Sequence, residues 1–532
     1  MSEPKKQSFL HGTMLLALST AIVKVIGAFY SIPLNAIIGE QAFGYYSTAY
    51  EIYTVLLLIS TAGLPVAMSR MISAASSLGH YRQVRKIYTV SRTIFLALGL
   101  IGTLLMTLFS RQLAAFQEQP DAWAAIATLG PSCFLICLMS TYRGFFQGQS
   151  NMTPTSVSQV IEAFFKLIVG ISAAVLLLWY TKSYALAAGG AIFGVTVSCL
   201  VSSLYLNSCF RKAYADLPQS YEDPESGKNI AKGLLAIAVP ITIGSAGLQI
   251  LNVLETKIYM SQLLQTLTQE QADIQKGIYN FTQKLFNMPC AFITPITISV
   301  IPAITSQFTA GDHKAVKATE ESAARVTALI SAPCAVGLAV LAGPVTGLLG
   351  GYTGANLELS TRLMMVLGLC IVFNATVLLT NAIMQAHGHV HLPVINMFIG
   401  GAVKLAVVFI LTKNPHIGIV GTPIGTLLCT ACITMLNLIS IRRVLPHAPA
   451  IAKNLAKAIL AALIMGVVVF GAHQALIALM GPNMSRVIAC GVPVCVGVAV
   501  YVPAAVLLRA VTREDCLLLP KGEKIAKLLH LR

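Results

Sequence analysis

The chain has 532 residues, of which 56% are hydrophobic and only 11% charged, with a mean hydropathy of +0.76. Ordinary soluble domains carry about 25% charged residues, so this chain has too little polar surface to cover a water-soluble fold. The net charge of +16 would suggest nucleic acid in a soluble protein. In a membrane protein Lys and Arg collect in cytoplasmic loops instead, and no nucleic-acid partner is expected.

Apolar runs near the roughly 20 residues needed to cross hydrocarbon recur about 14 times. In chain order they fall at 10–38, 42–76, 88–109, 122–146, 155–180 and 184–206, then, after a polar connection at 211–228, at 230–260, 277–308, 322–349, 357–386, 392–411 and 417–441. Two more lie at 455–479 and 487–509. The runs are continuous rather than alternating, which predicts helices and excludes a β-barrel. The fold class expected is all-α and polytopic. Pro33, Pro65, Pro289, Pro295 and Pro302 are expected kink points. The polar start of the chain, Met1 to Gln7, leads into no small-residue cleavage site, so the first helix is expected to be retained. The twelve cysteines fall mostly inside apolar runs and read as small core residues, the Cys429/Cys432 pair included, and no metal is expected.

With the N-terminus inside, the cytoplasmic segments hold clusters such as Arg82, Arg85 and Lys86, Arg211 and Lys212, and Arg442 and Arg443. The outer segments hold only Arg111, Lys182, Lys276, Lys413 and Arg486. This bias of about four to one predicts a plasma-membrane protein with both termini cytoplasmic. The basic tail, 512–532, is expected to lie against anionic lipid.

The sequence partly repeats itself. RGFFQGQSNMTPTSVSQVIEAFFKL, from Arg143, parallels NAIMQAHGHVHLPVINMFIGGAVKL, from Asn381. In each, a Gln leads through a polar turn and a Pro into a new helix, and a Lys follows that Gln by 19 residues: Gln147 to Lys166, and Gln385 to Lys404. GYYSTAYEIY, from Gly44, similarly echoes GIYNFTQKLF, from Gly277. An even number of spans between copies makes a parallel repeat and predicts two lobes. The expected organisation is an N-terminal lobe at 1–212, a cytoplasmic linker at 213–229, a C-terminal lobe at 230–445, two added helices at 446–511 and the tail.

Two stretches carry a family resemblance. GAFYSIPLNAIIGEQAFGYYSTAYEIYTVLLLISTAGLPVAMSR resembles the first two helices of stage V sporulation protein B-like oligosaccharide flippases, and YRGFFQGQSNMTPTSVSQVIE resembles their fourth-to-fifth helix hairpin. The wider group is the MOP superfamily, which includes MurJ-type lipid II flippases and MATE drug exporters. The resemblance implies two six-helix lobes that alternate access, and a role in cell-wall, polysaccharide or sporulation chemistry.

An ionisable residue inside the bilayer costs at least about 2.5–3.5 kcal/mol and is a functional candidate by default. Lys24 lies roughly 20 Å from either surface at 1.5 Å per residue, too deep to snorkel; it faces either substrate or a structural partner. Lys284 sits two turns inside the eighth span. The resemblance places both lysines where MurJ-type flippases carry cavity arginines, and so implies that they hold a substrate diphosphate. Two departures make this cavity less cationic: Ser31 stands where relatives often have Arg, and Leu57 falls near another arginine position. Lys404, Glu51, Arg70 and Arg143 are further substrate-site candidates, Glu51 as a partner of Lys24 or Lys284. Glu162 and Lys166 have the i,i+4 spacing and order of a structural helical ion pair. Glu255 falls where the resemblance implies an ion-coupling acid, although near the outer surface a solvated Glu is equally natural.

No nucleotide-binding loop, catalytic triad or paired-carboxylate constellation appears in the sequence, and no enzyme activity is expected. The leading expectation is a flippase for a polyprenyl-diphosphate-linked saccharide, driven by an Na⁺ or H⁺ gradient or the membrane potential, with no cofactor and acting as a monomer. The alternatives are a MATE-like exporter of organic cations, whose cavity would be acidic, and a membrane scaffold.

Overall fold

The computed structural model describes residues 9–61, 63–445, 449–481, 485–508 and 510–511. They form sixteen α-helices with short turns between them and no strand among the described residues. Eleven helical stretches among the described residues are long and apolar enough to cross a membrane, so the chain is an all-α polytopic membrane protein.

The helices run α1 (Phe9–Thr61), α2 (Leu64–Ser77), α3 (Tyr81–Leu108), α4 (Ser110–Phe116), α5 (Trp123–Gly148), α6 (Thr153–Thr181), α7 (Tyr184–Ala215) and α8 (Gly227–Leu263). Then follow α9 (Gln269–Thr309), α10 (His313–Val340), α11 (Ala342–Leu349), α12 (Gly354–Ala386), α13 (His391–Thr412), α14 (Gly421–Val444), α15 (Ile451–Met480) and α16 (Arg486–Leu507). The bend in α1 falls at Gly39, with φ 76°, rather than at Pro33, which is carried inside the helix. Pro65 opens α2 at its first turn, where a missing N–H costs nothing.

The chain packs as two compact units, Met1–Gly277 and Ile278–Arg532. In the first, α5 and α7 are the most enclosed spans, each 61% buried over its most apolar stretch, whereas α6 is 17% buried and turns most of its surface outward. Helices α6 and α7 pack closely because both are glycine at their crossing: a Cβ on Gly194 would stand 2.4 Å from the Gly170 backbone. The α7–α8 linker is clasped to the α2–α3 turn, with Gln83 donating its N–H to Glu222 (3.0 Å) and accepting from the Glu225 N–H (2.8 Å). Helix α8 and the first two turns of α9, which the repeat assigns to the second lobe, pack within this first unit against α1 and α2.

The second unit is built on α10, α12, α13, α14 and α15. One buried apolar cluster includes Ile304, Val316, Leu379, Ile383 and Ile441. Beside it Glu320 and the His387 imidazole meet at 2.8 Å, both buried. His387 belongs to the histidine run of the α12–α13 turn, and among the described residues no group of three or more His, Cys, Asp or Glu is disposed to hold a metal.

Candidate functional site

The first unit encloses a cavity of about 580 Å³ between α1, α2, α5, α6 and α7. Its polar lining comes largely from the α5–α6 hairpin. Helix α5 ends at a tight turn in which Ser150 takes φ 57° and Asn151 accepts from the Thr153 N–H (3.3 Å). Pro154 then starts α6. The turn sets the two helices side by side, so that residues 15 to 19 apart in the chain face one another. Arg143 on α5 donates its Nε to Ser158 Oγ (3.1 Å) and an Nη to Glu162 (3.0 Å). Their side chains are 18% and 27% exposed, a half-desolvated pair in which the charge-assisted bond is stronger than on an open surface.

Lys166, one turn beyond Glu162, takes a different partner. Its ammonium donates to the Tyr50 hydroxyl (2.7 Å) and lies 4.5 Å from the Tyr50 ring centroid and 5.2 Å from that of Tyr30. In place of the expected Glu162–Lys166 pair, Glu162 accepts from a single Nη of Arg143 across the hairpin, and the tyrosines hold Lys166 by hydrogen bond and cation–π attraction. Tyr46, Tyr50 and Tyr53 fall on one face of α1, and Tyr30 anchors the cluster by donating to the Ala191 carbonyl of α7 (3.1 Å).

Two cavity-lining residues, Tyr53 and Thr155, carry hydroxyl oxygens that are themselves buried and have no hydrogen-bond partner among the described residues. Each such orphan costs about 1–3 kcal/mol. Gln147 and Gln159 supply amides nearby, and Ile26, Leu57, Ile136 and Val195 supply apolar wall. Among the described residues the charged lining is Arg143, Lys166 and Glu162, two cations against one carboxylate.

A second polar assembly lies at the end of the same unit that carries the α4–α5 and α8–α9 connections. Lys276 is fully buried on α9, its ammonium donating to Thr48 Oγ1 and standing 3.8 Å from Glu51. Thr48 donates in turn to the Gln119 carbonyl, and the Gln119 amide donates to Asp273 (2.8 Å), which also accepts from Tyr45 (2.9 Å) and Gln269 (3.0 Å). The chain of donors satisfies a buried ammonium and a buried carboxylate that would otherwise be prohibitive. Helix contact here is tight: a Cβ on Gly277 would fall 1.7 Å from the Glu40 carbonyl oxygen. Alongside, Lys257 pairs with Glu118.

Of the predicted site residues, Arg143 reaches the cavity and Glu162 and Lys166 join it. Among the described residues Glu51 stands 3.8 Å from Lys276, because α9 begins seven residues earlier, at Gln269, and carries that lysine inward against α1. The Lys24 side chain lies outside the described residues, although its chain neighbours Val23 and Ile26 line the cavity. Lys284 is exposed on α9, Arg70 is exposed on α2, Lys404 is half-buried on α13 and Glu255 is buried on α8. Sequence reasoning missed the tyrosines, Thr155 and Lys276. The 46/50/53 spacing is helical and could have flagged the first group. Lys276, by contrast, read as an outer loop residue.

A multi-pass helical bundle that keeps a charged cavity among apolar spans has the character of a membrane transporter. The profile of the polysaccharide biosynthesis protein family matches residues 9–308, more than half of the chain, and the chain belongs to that family. It is similar to stage V sporulation protein B of Bacillus subtilis (strain 168), 27% identical over 83% of this chain and 85% of that protein. It is also similar to lipid II flippase MurJ of the same organism, 25% identical over 74% and 76% of the two chains. Among solved structures, a lipid II flippase MurJ in an inward closed conformation superposes with a TM-score of 0.70 at 15% identity, covering 93% of this chain and 99% of that one; at this identity the likeness concerns the fold.

Proposed function

We propose that this chain is an alternating-access flippase that moves a polyprenyl-diphosphate-linked saccharide from the cytoplasmic to the outer leaflet of the plasma membrane, with both termini cytoplasmic. The observation that carries this reading is the charge balance of the cavity in the first unit: two cations, Arg143 and Lys166, against the single carboxylate of Glu162. A cavity for organic cations needs the opposite balance, since attraction strengthens in a low-dielectric site. This disfavours the exporter reading and suits an uncharged or anionic head group. The two Bacillus relatives, stage V sporulation protein B and lipid II flippase MurJ, support the same reading.

In this reading the lipid tail stays in the bilayer while Lys24 and Lys284 contact the diphosphate as point charges. Lys404 and Arg70 are auxiliary cationic contacts along the path. Glu255 is the candidate for ion coupling, with the gradient of Na⁺ or H⁺ supplying the work. The lobes proposed to alternate are 1–212 and 230–445.

The test is complementation of a bacterial strain depleted of its own lipid II flippase, with wild type, Lys24→Gln and Lys284→Gln compared. Rescue by wild type and loss of rescue in both variants is the expected result. A wild type that fails to rescue removes the peptidoglycan-precursor reading; equal rescue by all three removes the diphosphate role of the two lysines.

A further inference from the structure

The α5–α6 and α12–α13 turns close in the same way but are tied down by different chemistry. Ser150 and Gly388 take φ 57° and 83°, and the next N–H returns to the helix end, Asn151 to the Phe146 carbonyl and His389 to that of Met384 (both 2.9 Å). The residue just before the positive φ is Gln149 in the first copy and His387 in the second. Gln149 donates its amide to Ser76 Oγ (2.8 Å), a neutral tie that does not titrate. His387 instead sets its Nε2 2.8 Å from Glu320 of α10, with the two side chains 5% and 1% exposed. A neutral tie is thus enough for such a turn, and the second copy carries one that can gain and lose a proton.

Both net-neutral forms of this pair, imidazolium with carboxylate and imidazole with carboxylic acid, hold one proton. Losing it strands a net charge in the interior, which is costly. His387 caps the C-terminal end of α12, where a helix favours a cation, so the ionised form is favoured. The buried Nδ1 has no partner among the described residues, but one unmade N–H bond costs less than an unpaired buried carboxylate. Three helix ends meet here. Phe308 of α9 stands edge-on to the imidazole (centroids 4.7 Å apart), Thr305 of α9 donates to the Ala386 carbonyl (3.2 Å), and Thr319 of α10 donates to Gln307 of α9 (2.9 Å). Beyond Lys284, α9 carries no ionisable residue. On α10 the others nearby are His313, which meets the Phe308 ring at 6.1 Å, Lys317, Glu321, which accepts from the Ala450 N–H (3.2 Å), and Arg325. His389 and His391 share the turn, and Arg442, Arg443, Lys453 and Lys457 belong to the neighbouring ends of α14 and α15.

We propose that Glu320 and His387 form a proton-binding site that locks the α12–α13 turn onto α10 and the end of α9. With its proton the pair is neutral and the junction is held; without it a buried charge is left uncompensated and the junction loosens. The lock is therefore strong on the acid side of the imidazole range and weak on the alkaline side. The site is separate from Glu255, to which the flippase reading gives ion coupling. Only the side from which the proton arrives, the cytoplasm, rests on that reading.

The experiment is a double-mutant cycle on purified full-length protein in detergent, read as melting temperature at about pH 6 and about pH 8.5, on either side of the imidazole range. The variants are Glu320→Gln, His387→Gln and the two together. Glutamine keeps a hydrogen-bonding group at each place and removes only the capacity to hold the proton. His313, His389 and His391 are common to all four proteins, so their titration cancels in the cycle. A coupling of about 2–4 °C is expected at the lower pH, falling to less than half of that at the higher. Gln149→Ala, which cuts the neutral tie of the first copy, should lower the melting temperature equally at both. A coupling that is the same at both pH values, or larger at the alkaline one, makes the pair an ordinary hydrogen bond and overturns the proposal. Should His387→Gln not fold, Glu320→Gln against wild type carries the same reading: the gap between them must narrow as pH rises, and a constant gap overturns the site. No arm uses a lipid-linked cargo, so a negative result here leaves the flippase reading standing, and failed complementation leaves this one standing.

Discussion

The α5–α6 and α12–α13 hairpins are two copies of one sequence pattern, yet they have become different kinds of interior. In the first, Arg143 bridges to Ser158 and Glu162 and a cavity remains open beside the pair. In the second, Asn381 stands at the place of Arg143 and Asn396 at that of Ser158, at the same offset of 238 residues. Both bond to Asn437 of α14, which donates to Asn381 (2.8 Å) and accepts from Asn396 (2.9 Å). The place of Glu162 is taken by Gly400, where a Cβ would come within 2.4 Å of Ile433. The second copy exchanged its carboxylate for close helix packing and its ions for amides. The backbone frame of a repeat survives such exchange, because the turn and the Pro define it, whereas the chemistry facing the interior is free to diverge. Charge was kept in the copy that has space for a guest.

The comparison can be broken most severely by returning the carboxylate to the second copy. Gly400→Glu should destabilise the protein by about 3–5 kcal/mol, from overpacking against Ile433 and burial of an unpaired acid. Thermal unfolding in detergent measures it. Adding Ile433→Ala should recover only the packing part; full recovery would mean that α13 has room for the charge. Next in size is Asn437→Leu, which removes the donor to the Asn381 carbonyl, one acceptor of the Asn396 amide and the donor to the Thr380 hydroxyl, while Thr380 keeps its bond to the Thr376 carbonyl and Asn396 its bond to Ser440. A loss of about 2–3 kcal/mol is expected, the usual cost of unmade buried hydrogen bonds. No measurable loss would show that the amide network is not what closes the second copy.

How much of this was legible in the sequence follows from range. The all-α, membrane-spanning class, the two hairpins and the Gln–Pro turns depend on neighbours close in the chain and were readable; the number of spans was not, since eleven helical stretches among the described residues qualify where about 14 runs were expected. The partner of Glu162 was not: the i,i+4 rule pointed to Lys166, but Arg143 arrives from the other helix of the hairpin and offers a planar fork that a single-helix rule cannot anticipate. Lys276 was misread for a related reason. It precedes the apolar run, yet α9 begins at Gln269, and its extra turns lie against α1 and bury the lysine beside Glu51. Hydropathy marks where a helix meets lipid, not where it ends. The orphan hydroxyls of Tyr53 and Thr155 left no trace in the sequence, because an unmade bond is a property of packing alone.

A third measurement sharpens the first copy. A double-mutant cycle of Arg143→Gln and Glu162→Gln should give a coupling of about 1–2 kcal/mol, below that of a fully buried pair because both side chains keep some exposure. A coupling near zero would mean that the pair is a surface-like contact and that the two hairpins differ less than their residues suggest.

The smallest expected change in stability belongs to the lysine that both copies retain. Lys166→Gln removes a hydrogen bond to Tyr50 and the cation–π contacts with Tyr30 and Tyr50. Glutamine can still donate to the hydroxyl, so the loss should stay within about 1 kcal/mol, the scale of a partly solvated cation–π contact. Transport should respond quite differently. Without Lys166 the charged lining falls from a surplus cation to a neutral Arg143–Glu162 pair. If that surplus matters, flipping of an anionic lipid-linked sugar into the outer leaflet should fall about tenfold, the worth of one charge-assisted contact. Lys404→Gln gives the comparison from the other hairpin: Lys404 is only an auxiliary contact in the proposed path, and Gly400 beside it has closed against α14, so its removal should lower flipping by about twofold, less than the loss of Lys166. An equal loss in both variants would mean that the second hairpin has kept a substrate role despite its packing, and that the two copies work as a pair.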